Sequence, residues 1–391
     1  MTTFRMWRHF DHLLLVVTIL LAAFGVVMVY SANLGSPDTD LQDLWRRQAI
    51  VGVAGVGLIL LLSIFPRDYQ WLGDFWWLAF LIAIVLLVLV LFIGGSEISD
   101  VKTWFDLGAF NLQPAYLAMI MLAVSVGAIL SRQRRKRNSR KMPLFGAPKT
   151  SLLEETAERP DFVSYLTSAS MALLLAALVF LQPDLATAAV LLFMWLALVF
   201  ESDLPIWYLV LTLVVGLGAI YPLWKLTEVL GFDYMRDRVL GFLNPEPDYQ
   251  VRQALIAIGS GGLWGKGLGQ GTQSQLRYLP VRHTDFIFAV TAEELGFAGI
   301  MLLFALYTVL FYRLLRIILI AADTFGRLLA TGTLAMILFQ LVVNLGMNLG
   351  LLPVAGLPLP FISYGPTALL TTMIGIGIAE NVVVRHRGLE F

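Results

Sequence analysis

Cysteine is absent from the 391 residues, and charge is scarce: 14% of the residues are Asp, Glu, Lys or Arg, with a net charge of zero. The lack of cysteine excludes disulfide bonds and thiolate chemistry, but it does not identify a cellular compartment. The balanced charge argues against nucleic acid as a partner, since such surfaces carry a clear excess of basic residues. Internal repeats and a long soluble domain are also missing, so function must lie in the membrane or in its loops.

Apolar residues dominate what is present. They make up 58% of the chain, and the mean hydropathy is +0.79. Because a span needs about 20 apolar residues, the sequence predicts an all-α polytopic membrane protein with about ten transmembrane helices in one integral-membrane domain, 1–391. The predicted spans are 13–30, 49–64, 78–93, 112–130, a hairpin of two spans around 182–184, then 206–224, 286–315, 328–349 and 367–384.

Basic residues set the predicted orientation, because Lys and Arg are retained on the cytoplasmic side. The basic run at 132–141 therefore places the 132–162 loop inside the cell, and an even number of spans places both termini there too. This run also suits attraction to anionic lipids. Residues 141–160 resemble a flexible insertion, and the first apolar run is too long for a signal-peptide core.

The longest external loop, 225–284, lies between the seventh and eighth spans. Long loops on rigid scaffolds often carry function, and its apolar run 251–258 is compatible with a helix. Cations in this loop are candidates for binding a phosphate group, although an exposed loop is normally polar. The candidates are Arg236, Arg238, Lys266, Arg277 and Arg282.

Glycine is concentrated within this loop, with seven glycines in residues 259–271. Such a segment favours either an anion-binding nest of backbone amides or a loop folded tightly against helix ends. The pattern is not a nucleotide-binding P-loop, because Ser260 and Gly267 occupy positions that require Gly and Ser or Thr.

Asp285 lies where the polar loop meets the eighth span. It is either a helix cap or a carboxylate whose pKa is raised by burial and which acts as a general base. At about 100° per residue, Glu293 lies about 80° around the helix from Asp285 and Glu294 about 180°, so at most one of them can share its cavity. Acidic residues inside a membrane also suit ion transport. Asp184, in the turn at 182–184, is either a turn residue or a second acid beside the same site.

Several ordered blocks resemble the SEDS family of bacterial cell-wall polymerases, the group that contains RodA and FtsW, along nearly the whole chain. The blocks are 29–32, 181–185, 242–246, 257–262, 279–280 with 283–288, 293–296 and 356–365. Residues 271–275 and 292–294 resemble RodA more than FtsW.

This resemblance implies a glycosyltransferase in the bacterial inner membrane that polymerises lipid II, an undecaprenyl pyrophosphate carrying a disaccharide-pentapeptide. By motif, Asp285 is the essential acid, and Trp104 lines the cavity. His283, Thr284 and Ser363 belong to the motifs around it. The implied partners are a class B penicillin-binding protein and other membrane proteins of the elongation complex. No cofactor is required, but a divalent cation (Mg²⁺ or Mn²⁺) is compatible with a pyrophosphate leaving group.

The chain departs from the family pattern in three places. Tyr116 and Met119 stand where a Glu and a Lys are expected, which suggests a charge pair lost as a unit. Ala186 and Pro366 each replace a Gly. The alternatives left open are a lipid II flippase without chemistry, an FtsW-type division polymerase, and a catalytically weakened scaffold.

Overall fold

The computed structural model describes residues 9–36, 38–65, 68–95, 103–106, 108, 111–140, 162–243 and 248–385. The predicted flexible insertion, 141–160, lies outside these residues. Within them, nine helices are long and apolar enough to cross a membrane, and Leu185–Glu201 is a shorter apolar helix. The prediction of an all-α membrane protein with about ten spans is confirmed.

Among the described residues, the first half of the chain has seven helices and one hairpin. The helices are α1 (His12–Asn33), α2 (Thr39–Gln42), α3 (Leu44–Ile64), α4 (Gln70–Asp74), α5 (Trp76–Ile93), α6 (Pro114–Arg140) and α7 (Phe162–Phe180). Strands β1 (Phe105–Asp106) and β2 (Asn111–Leu112) pair antiparallel before α6.

The described part of the second half has eight helices. They are α8 (Leu185–Glu201), α9 (Ile206–Val229), α10 (Asp233–Leu243), α11 (Tyr249–Ser260), α12 (Thr272–Gln275), α13 (Ile287–Ile320), α14 (Thr324–Asn348) and α15 (Pro366–Val384). Two boundaries differ from expectation. Helix α6 continues to Arg140, so residues 132–140 extend a helix instead of forming a loop. The long loop 225–284 is largely helical, because it contains α10, α11 and α12.

Carboxylates fix several helix starts, because the first backbone N–H groups of a helix have no partner within it. Asp11 accepts from the N–H of Leu14 at α1, and Asp323 accepts from the N–H of Gly326 at α14. At α15 the first helical residue is Pro366. A proline lacks an N–H where none is needed, which explains why this departure from the family pattern fits the fold.

Helices α15, α6 and α14 form the centre of the bundle. In their most apolar 18-residue stretches, 83%, 72% and 67% of the residues are buried. Helix α9 lies at the periphery with 6% buried, so lipid must cover most of its surface. Because each span reverses the direction of the chain, every second loop lies at the same end of the bundle. Four such loops are those between α5 and α6, α7 and α8, α9 and α13, and α14 and α15.

Candidate active site

These four loops enclose a cavity of about 860 Å³. Its volume lies within the range of roughly 300–1,000 Å³ that is usual for small-molecule sites. The cavity combines polar groups from the loops with apolar side chains of α8, α14 and the segment 352–358. Of the residues predicted as site residues, it gathers Trp104, Asp184, Arg238, His283, Thr284 and Asp285.

Asp285 contributes a carboxylate to the cavity and does not cap α13. The helix begins at Ile287, and its N-cap residue, Phe286, makes no side-chain cap hydrogen bond. Burial raises the pKa of Asp285 from 3.8 to about 6; Arg238 and a Thr284 hydrogen bond oppose this shift, and Asp184 adds to it. A carboxyl with this pKa is largely ionised at neutral pH yet basic enough to accept a proton.

Arg238 lies beside Asp285. Gly356 shows their proximity: a Cβ on this glycine would lie 3.5 Å from Arg238 Nη1 and 4.0 Å from Asp285 Oδ2. Gly356 has a φ of +71°, which other residues rarely adopt. The backbone thus approaches a cation and a carboxylate closely, and Arg238 supplies positive charge next to the candidate base.

Asp184 has two roles in the structure. One carboxylate oxygen caps α8 by accepting from the N–H of Thr187 at 3.0 Å, and the other accepts from Gln113 Nε2 at 3.2 Å. Burial raises the pKa of Asp184, while the Thr187 hydrogen bonds and Arg238 lower it. The turn role and the cavity role considered for this residue therefore coexist. Trp104, which pairs with Gly95 in a β-bridge, lines another wall.

His283 is a neutral member of the cavity wall. Burial, followed by the charge of Arg282, lowers its pKa from 6.5 to about 4. Its ring lies 6.1 Å from that of Tyr364 in an edge-on arrangement. Near neutral pH this imidazole therefore offers hydrogen bonding without a charge.

Hydrogen bonds from other elements hold three consecutive backbone carbonyls. Tyr364 N donates to the carbonyl of His283 at 2.8 Å, and Ser363 Oγ donates to that of Thr284 at 2.6 Å. Two amide side chains of α14 donate to the carbonyl of Asp285. Since Ser363 Oγ also accepts from Leu359 N at 2.7 Å, its hydroxyl braces the loop; it is not among the residues lining the cavity.

The other predicted phosphate ligands lie outside the cavity wall. Arg282 Nε donates to the carbonyl of Ala32 at 2.6 Å, and Arg277 Nη2 contacts that of Gly35 at 3.4 Å. Arg236 lies over the ring of Trp224, with its guanidinium carbon 5.5 Å from the ring centroid. Lys266 Nζ bonds Glu293 Oε1 at 2.7 Å. These four cations anchor the long loop to itself, to the end of α1 and to α13.

The glycine-rich segment packs against a break in α13. Gly296 has φ +65° and ψ −165°, which interrupts the helix. The N–H groups of Lys266 and Gly267 donate to the carbonyls of Glu293 and Glu294. In return, Phe297 and Ala298 donate to carbonyls of the glycine segment, at 2.9–3.0 Å. The segment thus satisfies backbone groups that the break exposes, which favours a tight loop on helix ends over an anion nest.

Glu293 and Glu294 serve this same joint. Both side chains are fully buried. Glu293 accepts from Lys266 and from Thr272 Oγ1 at 2.9 Å, while Glu294 accepts from Ser31 Oγ. They connect α13 to the loop and to α1, and neither lines the cavity.

Sequence reasoning missed several residues around the cavity. Arg47, on α3, lines it and hydrogen-bonds Tyr364; its place at the external end of a predicted span was an available signal. Tyr116 lines it where the family pattern has a Glu. Asn344 and Asn348, polar residues four apart in an apolar helix, mark one helix face.

A divalent cation would find few protein ligands here. Among the residues that the structure describes, no group of three or more His, Asp or Glu side chains could hold a metal ion. Mg²⁺ often binds one or two carboxylates together with substrate phosphates. The carboxylates of Asp184 and Asp285 are compatible with that arrangement, in which the substrate supplies the remaining oxygens.

Residues 11–388 match the model of the cell cycle protein family that groups FtsW, RodA and SpoVE. The peptidoglycan glycosyltransferase MrdB of Escherichia coli K12 is 36% identical over 98% of this chain and 95% of its own. Stage V sporulation protein E of Bacillus subtilis is 35% identical over 95% and 96%.

Solved structures of related proteins also match this chain. The rod shape-determining protein RodA of Thermus thermophilus has a TM-score of 0.66 and 31% identity over 98% of each chain. A chain from a peptidoglycan synthase complex that coordinates polymerisation and crosslinking has a TM-score of 0.72 and 30% identity over 97% and 98%.

Proposed function

The chain belongs to the FtsW/RodA/SpoVE family, and from this premise we propose that it is a peptidoglycan glycosyltransferase that polymerises lipid II, with Asp285 as general base. The observation that carries the proposal is that Asp285 leaves α13 uncapped and contributes its carboxylate to the large cavity beside Arg238. The role in cell elongation is favoured by the RodA-like blocks and by the similarity to MrdB.

In the proposed step, an acceptor sugar hydroxyl attacks the anomeric carbon of the donor sugar. A new C–O bond forms, the bond to the pyrophosphate oxygen breaks, and undecaprenyl pyrophosphate leaves with the bonding electrons. The hydroxyl proton passes to Asp285. A positioned general base typically contributes about 10²–10⁴-fold to a rate.

Arg238 is the cation best placed to favour this reaction. Its charge favours the ionised form of Asp285, and a guanidinium can bind phosphate oxygens bidentately. Arg47 lines the same cavity and adds a second positive charge. A divalent cation held with Asp184 or Asp285 would supply electrostatic stabilisation of the departing pyrophosphate.

The proposed partner is a class B penicillin-binding protein that crosslinks the new strands. The structural likeness to a complex that coordinates polymerisation and crosslinking supports this pairing. Other membrane proteins of the elongation complex remain predicted partners.

The decisive experiment is polymerisation of lipid II in detergent by the purified protein with its transpeptidase partner, comparing wild type with Asp285→Asn. Detergent removes the two sides that a flippase needs, so glycan chains from wild type alone support the proposal. Wild-type rates from Asp285→Asn would refute the base assignment. No polymer from wild type, alongside lipid II movement in vesicles, would instead favour the flippase.

A further inference from the structure

The backbone carbonyl of Asp285 accepts hydrogen bonds from two side-chain amides. Asn344 Nδ2 donates at 3.1 Å and Asn348 Nδ2 donates at 2.9 Å. Both asparagines are fully buried in the last turns of α14. Both donors come from a membrane-spanning helix, where buried polar side chains are rare because they are costly to place in an apolar environment.

The pair joins three parts of the cavity wall. Asn344 Nδ2 also donates to the carbonyl of Leu357 at 2.8 Å, in the segment that carries Gly356. Asn348 Oδ1 accepts from the N–H of Ala289 in the first turn of α13 at 3.3 Å. The Asp285 segment, the start of α13 and the neighbouring Leu357 segment are therefore held together by one face of α14.

These bonds differ from ordinary contacts between helices. Buried amides in membrane proteins commonly join one helix to another, but here they bind irregular backbone at the residue that carries the candidate base. The carbonyls of His283 and Thr284 are held as well. With the backbone fixed, the carboxylate of Asp285 retains little freedom beyond its own side-chain torsions.

We propose that Asn344 and Asn348 are positioning residues for Asp285, fixing its backbone so that the carboxylate meets the acceptor hydroxyl. This inference rests on the proposed function. It predicts that loss of the asparagine bonds affects turnover more than substrate binding, because the pair touches the base segment and does not line the cavity. A misplacement of about 1 Å can cost about 10²-fold in rate.

A comparison of kcat with KM, normalised to folded protein, separates positioning from mere folding. Loss of the fold removes active molecules, whereas a loosened Asp285 segment lowers kcat for each folded molecule and leaves KM unchanged, because the bonds act on the base in the transition state.

The test compares Asn348→Leu and the double variant Asn344→Leu/Asn348→Leu with Gln340→Leu. Gln340 is a matched control, since it is a buried amide on the same helix whose Nε2 contacts only Met119 Sδ, at 3.5 Å. The single variant keeps one donor on the carbonyl, which protects the fold.

We expect kcat for lipid II polymerisation to fall about 10-fold in the single variant and about 100-fold in the double variant, with KM within twofold. Gln340→Leu should match wild type in both quantities.

Two results would overturn the inference. One is a wild-type kcat in the double variant; the other is a fall in kcat that only follows the amount of folded protein on size-exclusion chromatography. If Asp285→Asn in the same assay stays inactive, either result refutes positioning alone. If Asp285→Asn works at the wild-type rate, the base assignment fails and the positioning role fails with it.

Discussion

Asp285 has the two properties that a general base requires, access to a cavity and a pKa near the working pH. The proposed base role needs the ionised form, so the rate should rise with pH through about 6 and fall as the carboxyl becomes protonated. At pH 5 we expect about a tenth of the maximal rate. His283 contributes no step in this range, because its pKa is about 4.

This prediction is checked by initial rates of lipid II polymerisation between pH 4.5 and 8, with folding monitored at each value. A rate that stays near its maximum down to pH 5, as an ordinary aspartate pKa of about 3.9 predicts, would contradict the environment assigned to Asp285.

Tyr116 stands where the family pattern predicts a Glu. It is 4% exposed, lines the cavity and faces both Asp184 and Asp285. Tyr116→Glu adds a like charge, so it should raise the pKa of Asp285 and move the acidic midpoint above about 6. Tyr116→Gln is the uncharged control and should leave the midpoint in place.

Adding Met119→Lys to Tyr116→Glu supplies a cation one helical turn away. The acidic midpoint should then return toward that of wild type. Equal midpoints in Tyr116→Glu and Tyr116→Gln would show that the position does not sense Asp285.

At the scale of elements, the glycine-rich segment packs against the break in α13, and the ion pair between Lys266 and Glu293 holds the two together. Lys266→Met leaves the fully buried Glu293 without its cation, which typically costs about 3–5 kcal/mol. We therefore expect a clear fall in the thermal midpoint in detergent. Lys266→Met/Glu293→Gln should recover most of it, since the buried charge is gone.

A phosphate-binding role for Lys266 predicts a different pattern. Polymerisation would then fall in Lys266→Met while the thermal midpoint stayed at the wild-type value. Measuring both quantities on the same preparations decides between a joint and a substrate ligand.

For the whole molecule, the orientation stays a prediction that the chain makes easy to test, because it contains no cysteine. Gln270 and Ala322 are exposed residues at opposite ends of the bundle. A membrane-impermeant maleimide applied to intact cells should label Gln270→Cys and should label Ala322→Cys only after permeabilisation. The reverse pattern would invert the topology.

The sequence by itself determined the class, the approximate number of spans and the family, and it singled out Asp285 as the candidate base. Hydrophobic length and ordered motifs are local properties, and each can be read without knowing which segments meet. It also identified Asp184, Trp104 and Arg238, because their motifs or loop positions mark them individually.

Only the tertiary structure decided how the loop cations are used and whether Asp285 caps a helix. Arg282 and Lys266 look as available in the sequence as Arg238, yet packing commits them to Ala32 and Glu293. The glycines likewise permitted two arrangements, and the break at Gly296 selected one. The contact of Asn344 and Asn348 with the carbonyl of Asp285 becomes visible only in the folded protein. These hydrogen bonds join residues about 60 positions apart, so they depend on packing and not on local pattern.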